Sequence, residues 1–298
     1  MLYLDYFCNL LKNKFLQTGF ISKSDFIEND EFWLKSIEKN YFEPMSEETK
    51  KNYLDGDGDE LGEKDKSNKP KMSAIRSSST MIYNLLGNAD VKIKENGIIP
   101  AGVYKKEYEL KHETITYRYK GKPTRANLDA YLHNEKDEIF VEAKCMEWIE
   151  NWTRHDLKTA YLEEKFYFDK STFPLFEASG RKISCSQYDS VQMFRHTLAI
   201  YNYLREKKIS DKKVLLLNVV WEPSVEEIPE EARERYSHQL ALEHLEFEYF
   251  HEQMQPVIDM FKEHTGCDFE IKYISVADFC QMIDYKNEKQ LKFIQRYL

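Results

Sequence analysis

The chain has 298 residues, with Lys+Arg 43 against Asp+Glu 52, a formal net charge of -9 and 42% hydrophobic residues. That length and apolar share suit one large or two modest domains with real cores, and 14% aromatic residues exclude a disordered chain. Ten Gly and eight Pro without a period exclude collagen-like and low-complexity architectures. No apolar run approaches the roughly 20 residues needed to cross a bilayer. The start, Met1 to Phe20, lacks the basic opening and small-residue cleavage site of a signal peptide. A cytoplasmic location without membrane contact is expected.

The five cysteines (Cys8, Cys145, Cys185, Cys267, Cys280) show no C-x-x-C spacing, so neither a disulfide framework nor a structural zinc site is expected. The histidines form no H-E-x-x-H, and His244 and His251 read as ordinary helix positions. Charge is uneven along the chain. Residues 1–72 carry a net -4, residues 73–220 a net +4 and residues 221–298 a net -9. A surface for a polyanion belongs in the middle third.

In chain order, residues 1–48 read as helical, from Leu4, Phe7, Cys8, Leu11 and Phe15, with Phe32, Trp33, Ile37 and Phe42 continuing the apolar content. Residues 47–71 form an acidic loop or linker. Its Asp55, Asp57 and Asp59 fail as an EF-hand, because Glu60 stands where glycine is required and Lys66 where glutamate is required. Ile75, Ile82 and Leu86 predict a helix over 73–86, closed by Gly87. Three strands are expected near 103–110, 124–132 and 138–145, then an irregular aromatic stretch to about 180. Tyr188, Val191, Phe194, Leu198 and Tyr201 predict an amphipathic helix over 187–206. The run Val214 to Trp221 has the length and composition of a strand buried on both faces. Pro229 and a glutamate-rich first turn open a long helix to about His264, followed by a strand near 269–276 and helix over 277–298.

Chemistry is concentrated in Pro123 to Cys145. On the first strand Ala126, Leu128, Ala130 and Leu132 share one face, with Asn127, Asp129 and Tyr131 on the other. On the second, Glu142 and Lys144 point one way, with Val141, Ala143 and Cys145 the other. Carboxylates set among apolar strand residues need a metal, a counter-charge or water. If His133 to Asp137 is a hairpin connection, Asp129 and Glu142 come from adjacent strands and can share one cation. Two hard oxygen ligands suit Mg²⁺, which keeps several waters, and a nearby lysine can orient water or act as a point charge on a phosphate. The bland alternative is an exposed cross-strand charge pair.

Asp129 followed, after twelve intervening residues, by Glu142-Ala143-Lys144 resembles the PD-(D/E)XK nuclease superfamily of restriction endonucleases. With the preceding serine-rich helix and Gln192 and His196 on the later helix, the chain is similar to an uncharacterised bacterial restriction-endonuclease-like branch. The resemblance covers roughly 73–221, and Leu128 stands where the superfamily pattern has proline. It implies an α/β fold with a restriction-endonuclease-like core, a mixed central sheet flanked by helices. The division is then 1–72 as a helical N-terminal extension with an acidic linker, 73–221 as the core, and 222–298 as an acidic helical addition with one strand. It implies a Mg²⁺-dependent endodeoxyribonuclease, Mn²⁺ substituting, with Asp129 and Glu142 as metal ligands and Lys144 as the catalytic lysine. Glu109 is the candidate third acid, with Glu107 its rival of the same parity.

Between Tyr104 and Arg125, seven basic residues, Lys122 and Arg125 among them, stand against three glutamates and interleave with tyrosines. This is either a phosphate-contacting strip or a solvated hairpin face. Gln192 and His196, four apart on one helix face, are candidate cleft or phosphate contacts, or else part of a solvent face. Ser77, Ser78 and Ser79 lack a nucleophile elbow. The expected partner is nucleic acid, DNA before RNA, with a homodimer or a defence or repair protein as further partner classes. The alternative is a catalytically silent module that binds nucleic acid or a partner on the same fold.

Overall fold

The structure is a computed structural model. It describes residues 2–28, 30–56, 59–62, 69–112, 118–119, 122–123, 126–150, 157, 159–164, 167 and 169–298, with the side chains of 110–112, 118–119, 122–123, 150 and 160 left undescribed.

Helix α1 (Tyr3–Gln17) buries Phe7, Cys8, Leu11 and Phe15, the stripe its spacing predicts. The helix expected to follow is replaced by an antiparallel ribbon of β1 (Phe26–Ile27) and β2 (Asp30–Leu34). The aromatic and β-branched residues there favour a pleated, half-buried surface over a helix. After α2 (Glu47–Asp55), helix α3 (Ser78–Leu86) starts later than the expected 73, because the Ser77 side chain caps it by accepting the Thr80 N–H. Gly87, at φ 65, ends it, as glycine can without strain.

A six-stranded sheet follows, built from β3 (Val91–Ile93), β4 (Gly102–His112), β7 (Ala126–His133), β8 (Asp137–Lys144), β9 (Lys213–Val220) and β10 (Asp268–Ser275) in the order β10-β9-β8-β7-β4-β3. β3 has no counterpart in the sequence reading, since three residues are too few for a periodic signal. A separate ribbon, β5 (Arg118–Tyr119) and β6 (Lys122–Pro123), lies between β4 and β7 in the chain. β8, β9 and β10 run parallel, and β8, β7, β4 and β3 are antiparallel neighbours. The β7–β8 turn is set by Asn134, whose Oδ1 accepts the Lys136 and Asp137 N–H groups at 2.8 and 2.7 Å. The parallel crossovers carry α4 (Glu147–Glu150), α5 (Phe173–Gly180) and α6 (Ser190–Lys207), then the 36-residue α7 (Glu230–Thr265). In place of one terminal helix, α8 (Val276–Met282) and α9 (Glu288–Ile294) close the chain.

Each face of the sheet carries its own apolar core. Ile139, Val141, Ala143, Leu215 and Leu217 pack with α1, α3 and α8, whereas Phe140, Val214 and Leu216 pack with α5, α6 and the second half of α7. The first core draws on all three sequence segments: Phe15, Met81, Trp221 and Tyr297 lie in it together. The mixed sheet with helices on both faces is a restriction-endonuclease-like architecture.

Arg296 is fully buried at this N- and C-terminal junction, its guanidinium 3.7 Å from the Phe15 ring centroid and 3.4 Å from that of Phe293. Nη1 donates to Asn40 Oδ1 at 3.2 Å, while Nε and Nη2 have no hydrogen bond, and burial draws its pKa down to about 10. A buried cation with aromatic stacking but no anion contributes through packing more than through charge. Arg296→Met is therefore expected to change stability by less than about 1.5 kcal/mol, and Arg296→Ala to cost about 3 kcal/mol, both read from urea melts.

Candidate active site

The site lies where the β7–β8 ladder opens. The last regular pair is Ala130↔Val141, and beyond it the Asp129 carboxylate accepts the Ala143 N–H at 2.7 Å. Across β7 on the other side, Glu109 sits between the pairs Tyr108↔Ala130 and Leu110↔Leu128 with φ at 49. A non-glycine residue in that left-handed region costs about 1–2 kcal/mol, and such strain concentrates at functional sites. The distortion also breaks the expected alternation of β7. Ala130 and Leu132 face the α3 side, but Ala126 and Leu128 lie in the core on the α6 side.

The buried Glu142 is the hub. Its Oε1 is 2.9 Å from Lys144 Nζ and accepts from Gln192 Nε2 at 2.7 Å. Its Oε2 is 3.1 Å from His196 Nε2, off the line of a hydrogen bond, so both nitrogens of this buried ring lack a hydrogen-bond partner. Lys144 also donates to Gln192 Oε1 and lies 3.8 Å from Asp189 Oδ2. Gln192 thus bridges the lysine and the carboxylate, and His196 lies in the interior where a solvent face was the alternative reading.

Asp189, which the sequence reading missed, caps α6 by accepting the Gln192 N–H at 3.1 Å. Its signal was an aspartate three residues before Gln192, hidden because the helix was expected to begin at 187. The loop ahead of it is held by Glu246 of α7, whose carboxylate accepts the N–H groups of Ser186, Gln187 and Tyr188 at 2.7, 2.5 and 2.8 Å. The long helix therefore positions α6, and α6 presents Gln192 and His196 to Glu142.

Glu109, 8% exposed, acts electrostatically on Asp129, whereas its rival Glu107 is part-exposed with its carboxylate 3.9 Å from His133. Gly56, at the end of α2, leaves room beside Glu109: a Cβ there would meet Glu109 Oε2 at 3.1 Å and the Tyr53 carbonyl at 3.0 Å. Of the basic strip, Arg125 lies outside the described residues, and Lys122 has its backbone in β6 and its side chain undescribed.

The charges are unequal in kind. Burial, then the like charges of Glu142 and Glu109, push the Asp129 carboxyl well above its usual range. Burial also works against the Glu142 charge, but Lys144 and His196 outweigh it and draw the pKa below the usual carboxylate range. Burial opposes the Lys144 charge, and Glu142, Asp189 and Glu147 together hold its pKa above the ordinary value. The mutual repulsion of two buried carboxylates is what a cation relieves. Among the described residues no three His, Cys, Asp or Glu side chains gather around one point. An ion here would rest on Asp129 and Glu142 with water completing its shell, a set of hard oxygen donors that fits Mg²⁺.

The curled mixed sheet and this opened strand pair define a restriction-endonuclease-like protein of the PD-(D/E)XK branch. A family model described as Restriction Endonuclease associating with ARP matches residues 12–298, and the chain belongs to that family. This membership supports a nuclease kind of reaction and nucleic acid as partner, and restriction-endonuclease-like enzymes typically use divalent metals. No curated protein and no solved structure matches the chain. No helix among the described residues is long and apolar enough to cross a membrane.

Proposed function

We propose that the chain is a Mg²⁺-dependent endonuclease that hydrolyses phosphodiester bonds in DNA. Asp129 and Glu142 hold the ion with water completing its shell, the nearby Glu109 adds negative charge beside Asp129, and residues 73–221 form the catalytic core. The observation that carries this reading is the buried contact of Glu142 with Lys144, Gln192 and His196, on the strand beside Asp129. The bound ion supplies a Lewis acid that neutralises charge on the scissile phosphate. Lys144, kept cationic by Glu142 and Asp189, orients the attacking water and offers a point charge to the phosphate. Gln192 holds the lysine and Glu142 in one geometry, and His196, its Nε2 3.1 Å from Glu142 Oε2, offers a phosphate contact or a proton relay. Lys122 and Arg125 extend the phosphate-contacting strip. The name of the family also supports a protein partner, ARP, that joins this chain in an assembly.

Calorimetry with Mg²⁺ and cleavage of plasmid DNA test the proposal together. Wild type is expected to bind Mg²⁺ and nick or linearise the plasmid, with Mn²⁺ substituting. Asp129→Ala is expected to lose at least about tenfold in metal affinity. A catalytically silent binding module would keep its affinity for DNA, show no cleavage, and be indifferent to Asp129→Ala in the metal titration.

A further inference from the structure

Lys144 stands between two carboxylates. Its Nζ is 2.9 Å from Glu142 Oε1 and 3.8 Å from Asp189 Oδ2, and among the described residues no other carboxylate lies within ion-pair distance of it. The Glu142 oxygen is crowded, since it faces the ammonium and also accepts from Gln192 Nε2 at 2.7 Å. Asp189 divides its work: Oδ1 caps α6 by accepting the Gln192 N–H at 3.1 Å, while Oδ2 faces the lysine. Glu147 also acts on the lysine electrostatically, but its Oε2 is engaged by the Cys145 and Met146 N–H groups at 2.7 and 2.9 Å. The side chains of Glu142, Lys144 and Asp189 are 5%, 13% and 16% exposed, so salt screens their mutual interactions weakly.

In this arrangement Lys144 and a divalent cation compete for Glu142. A cation on that carboxylate sets like charges side by side, and the ammonium already occupies the space beside Oε1. Asp189 Oδ2 is the nearest alternative acceptor, and a movement of about 1 Å shortens its 3.8 Å contact to the usual length of a charged hydrogen bond. We propose that Asp189 is a positioning residue that receives Lys144 from Glu142 as the ion binds. The lysine thereby gives up the metal ligand yet stays cationic and ordered beside the scissile phosphate. Glu246 prepares the acceptor: its carboxylate holds the N–H groups of Ser186, Gln187 and Tyr188, which fixes the turn carrying Asp189 before the lysine moves. This inference rests on Glu142 as a ligand of the ion, and adds the residue that makes the exchange possible.

The test is a calorimetric titration of metal-free protein with Mg²⁺, read as a dissociation constant and independent of cleavage. Asp189→Asn removes the charge and keeps the helix cap, because asparagine caps as well as aspartate. It is expected to weaken Mg²⁺ binding by about tenfold, the scale on which residues behind a metal ligand act. A residue that only capped α6 would leave the affinity of this variant unchanged. Asp189→Ser, which also caps, repeats the measurement, and circular dichroism checks that each variant is folded. The decisive comparison is made in Lys144→Met, which keeps the apolar stem and leaves no ammonium to receive. There Asp189→Asn is expected to change the affinity by less than about twofold. Wild-type affinity in Asp189→Asn overturns the proposal. So does an equal loss with and without the lysine, which would show Asp189 acting on the ion directly as a distant charge. A wild type that binds no Mg²⁺ sinks the ion site and this proposal together, whereas binding that is sensitive to Asp129→Ala and indifferent to Asp189→Asn sinks this proposal alone.

Discussion

Lys144→Ala is expected to lower the cleavage rate of DNA by about 10²-fold or more at saturating Mg²⁺, the scale on which a single preorganised charge acts at a reacting phosphate. The lysine is the main counter-charge of Glu142, 2.9 Å from Oε1, and it is tied through Gln192 to the same carboxylate. Its removal has a second consequence that separates catalysis from folding. With its partner gone, Glu142 becomes a buried anion with weaker compensation, so the metal-free variant is expected to melt below wild type at pH 7. Mg²⁺ then replaces the missing positive charge, and the rise in melting temperature on adding Mg²⁺ should be larger for Lys144→Ala than for wild type. Equal cleavage rates in the two proteins would sink the catalytic assignment of the lysine. Equal Mg²⁺ shifts would separately sink the coupling of Lys144 to the ion site.

The second large effect concerns Glu243, in the middle of α7. It is 2% exposed and its Oε2 has no hydrogen-bond partner. Burial first, then the negative charges of Glu246, Glu222 and Asp189, push its pKa up to about 8, against a weaker opposing pull from Lys144. An acid whose folded pKa is raised contributes stability that is fully present below its ordinary pKa, near 4.5, and is lost as pH climbs towards 8. Above that window folded and unfolded chains are both ionised at this position, and no further loss accrues. The shift sets an upper bound of about 5 kcal/mol, and relaxation of the surroundings reduces the expected loss to about 2–3 kcal/mol. Glu243→Gln removes the titration. The variant should match wild type near pH 4.5 and exceed it by that amount at pH 8 in denaturant melts. A constant difference across the range would show that Glu243 does not titrate on folding.

Much of the architecture was legible along the chain. The apolar run Val214 to Val220 is strand β9, buried on both faces, and the glutamate-rich opening after Pro229 begins α7, because burial pattern and end chemistry are local. That Asp129 and Glu142 stand on adjacent antiparallel strands was legible for the same reason, a polar link near 133–137 joining two β-like segments, but the register ends at Ala130↔Val141, short of the two carboxylates. Helix α1 was found by its stripe, whereas the β1–β2 ribbon was read as helix because its apolar residues carry no period of their own. The capping of α3 by Ser77 and the short edge strand β3 were missed, each being a feature of a few residues whose partners lie elsewhere.

What a linear reading could settle was which residue types stand close in the chain: an aspartate and a Glu-x-Lys on neighbouring strands, in a middle third of positive charge. The folded molecule decided the rest. It brought Gln192, His196 and Asp189 from α6 against Glu142 and Lys144, about 50 residues away. It buried Glu109, at φ 49, within electrostatic reach of Asp129 while leaving Glu107 part-exposed near His133, and it shifted the pKa values of Asp129 and Glu142 in opposite directions. Those outcomes depend on distance and on exclusion of water, quantities created when separate helices and strands pack and absent from the order of residues alone.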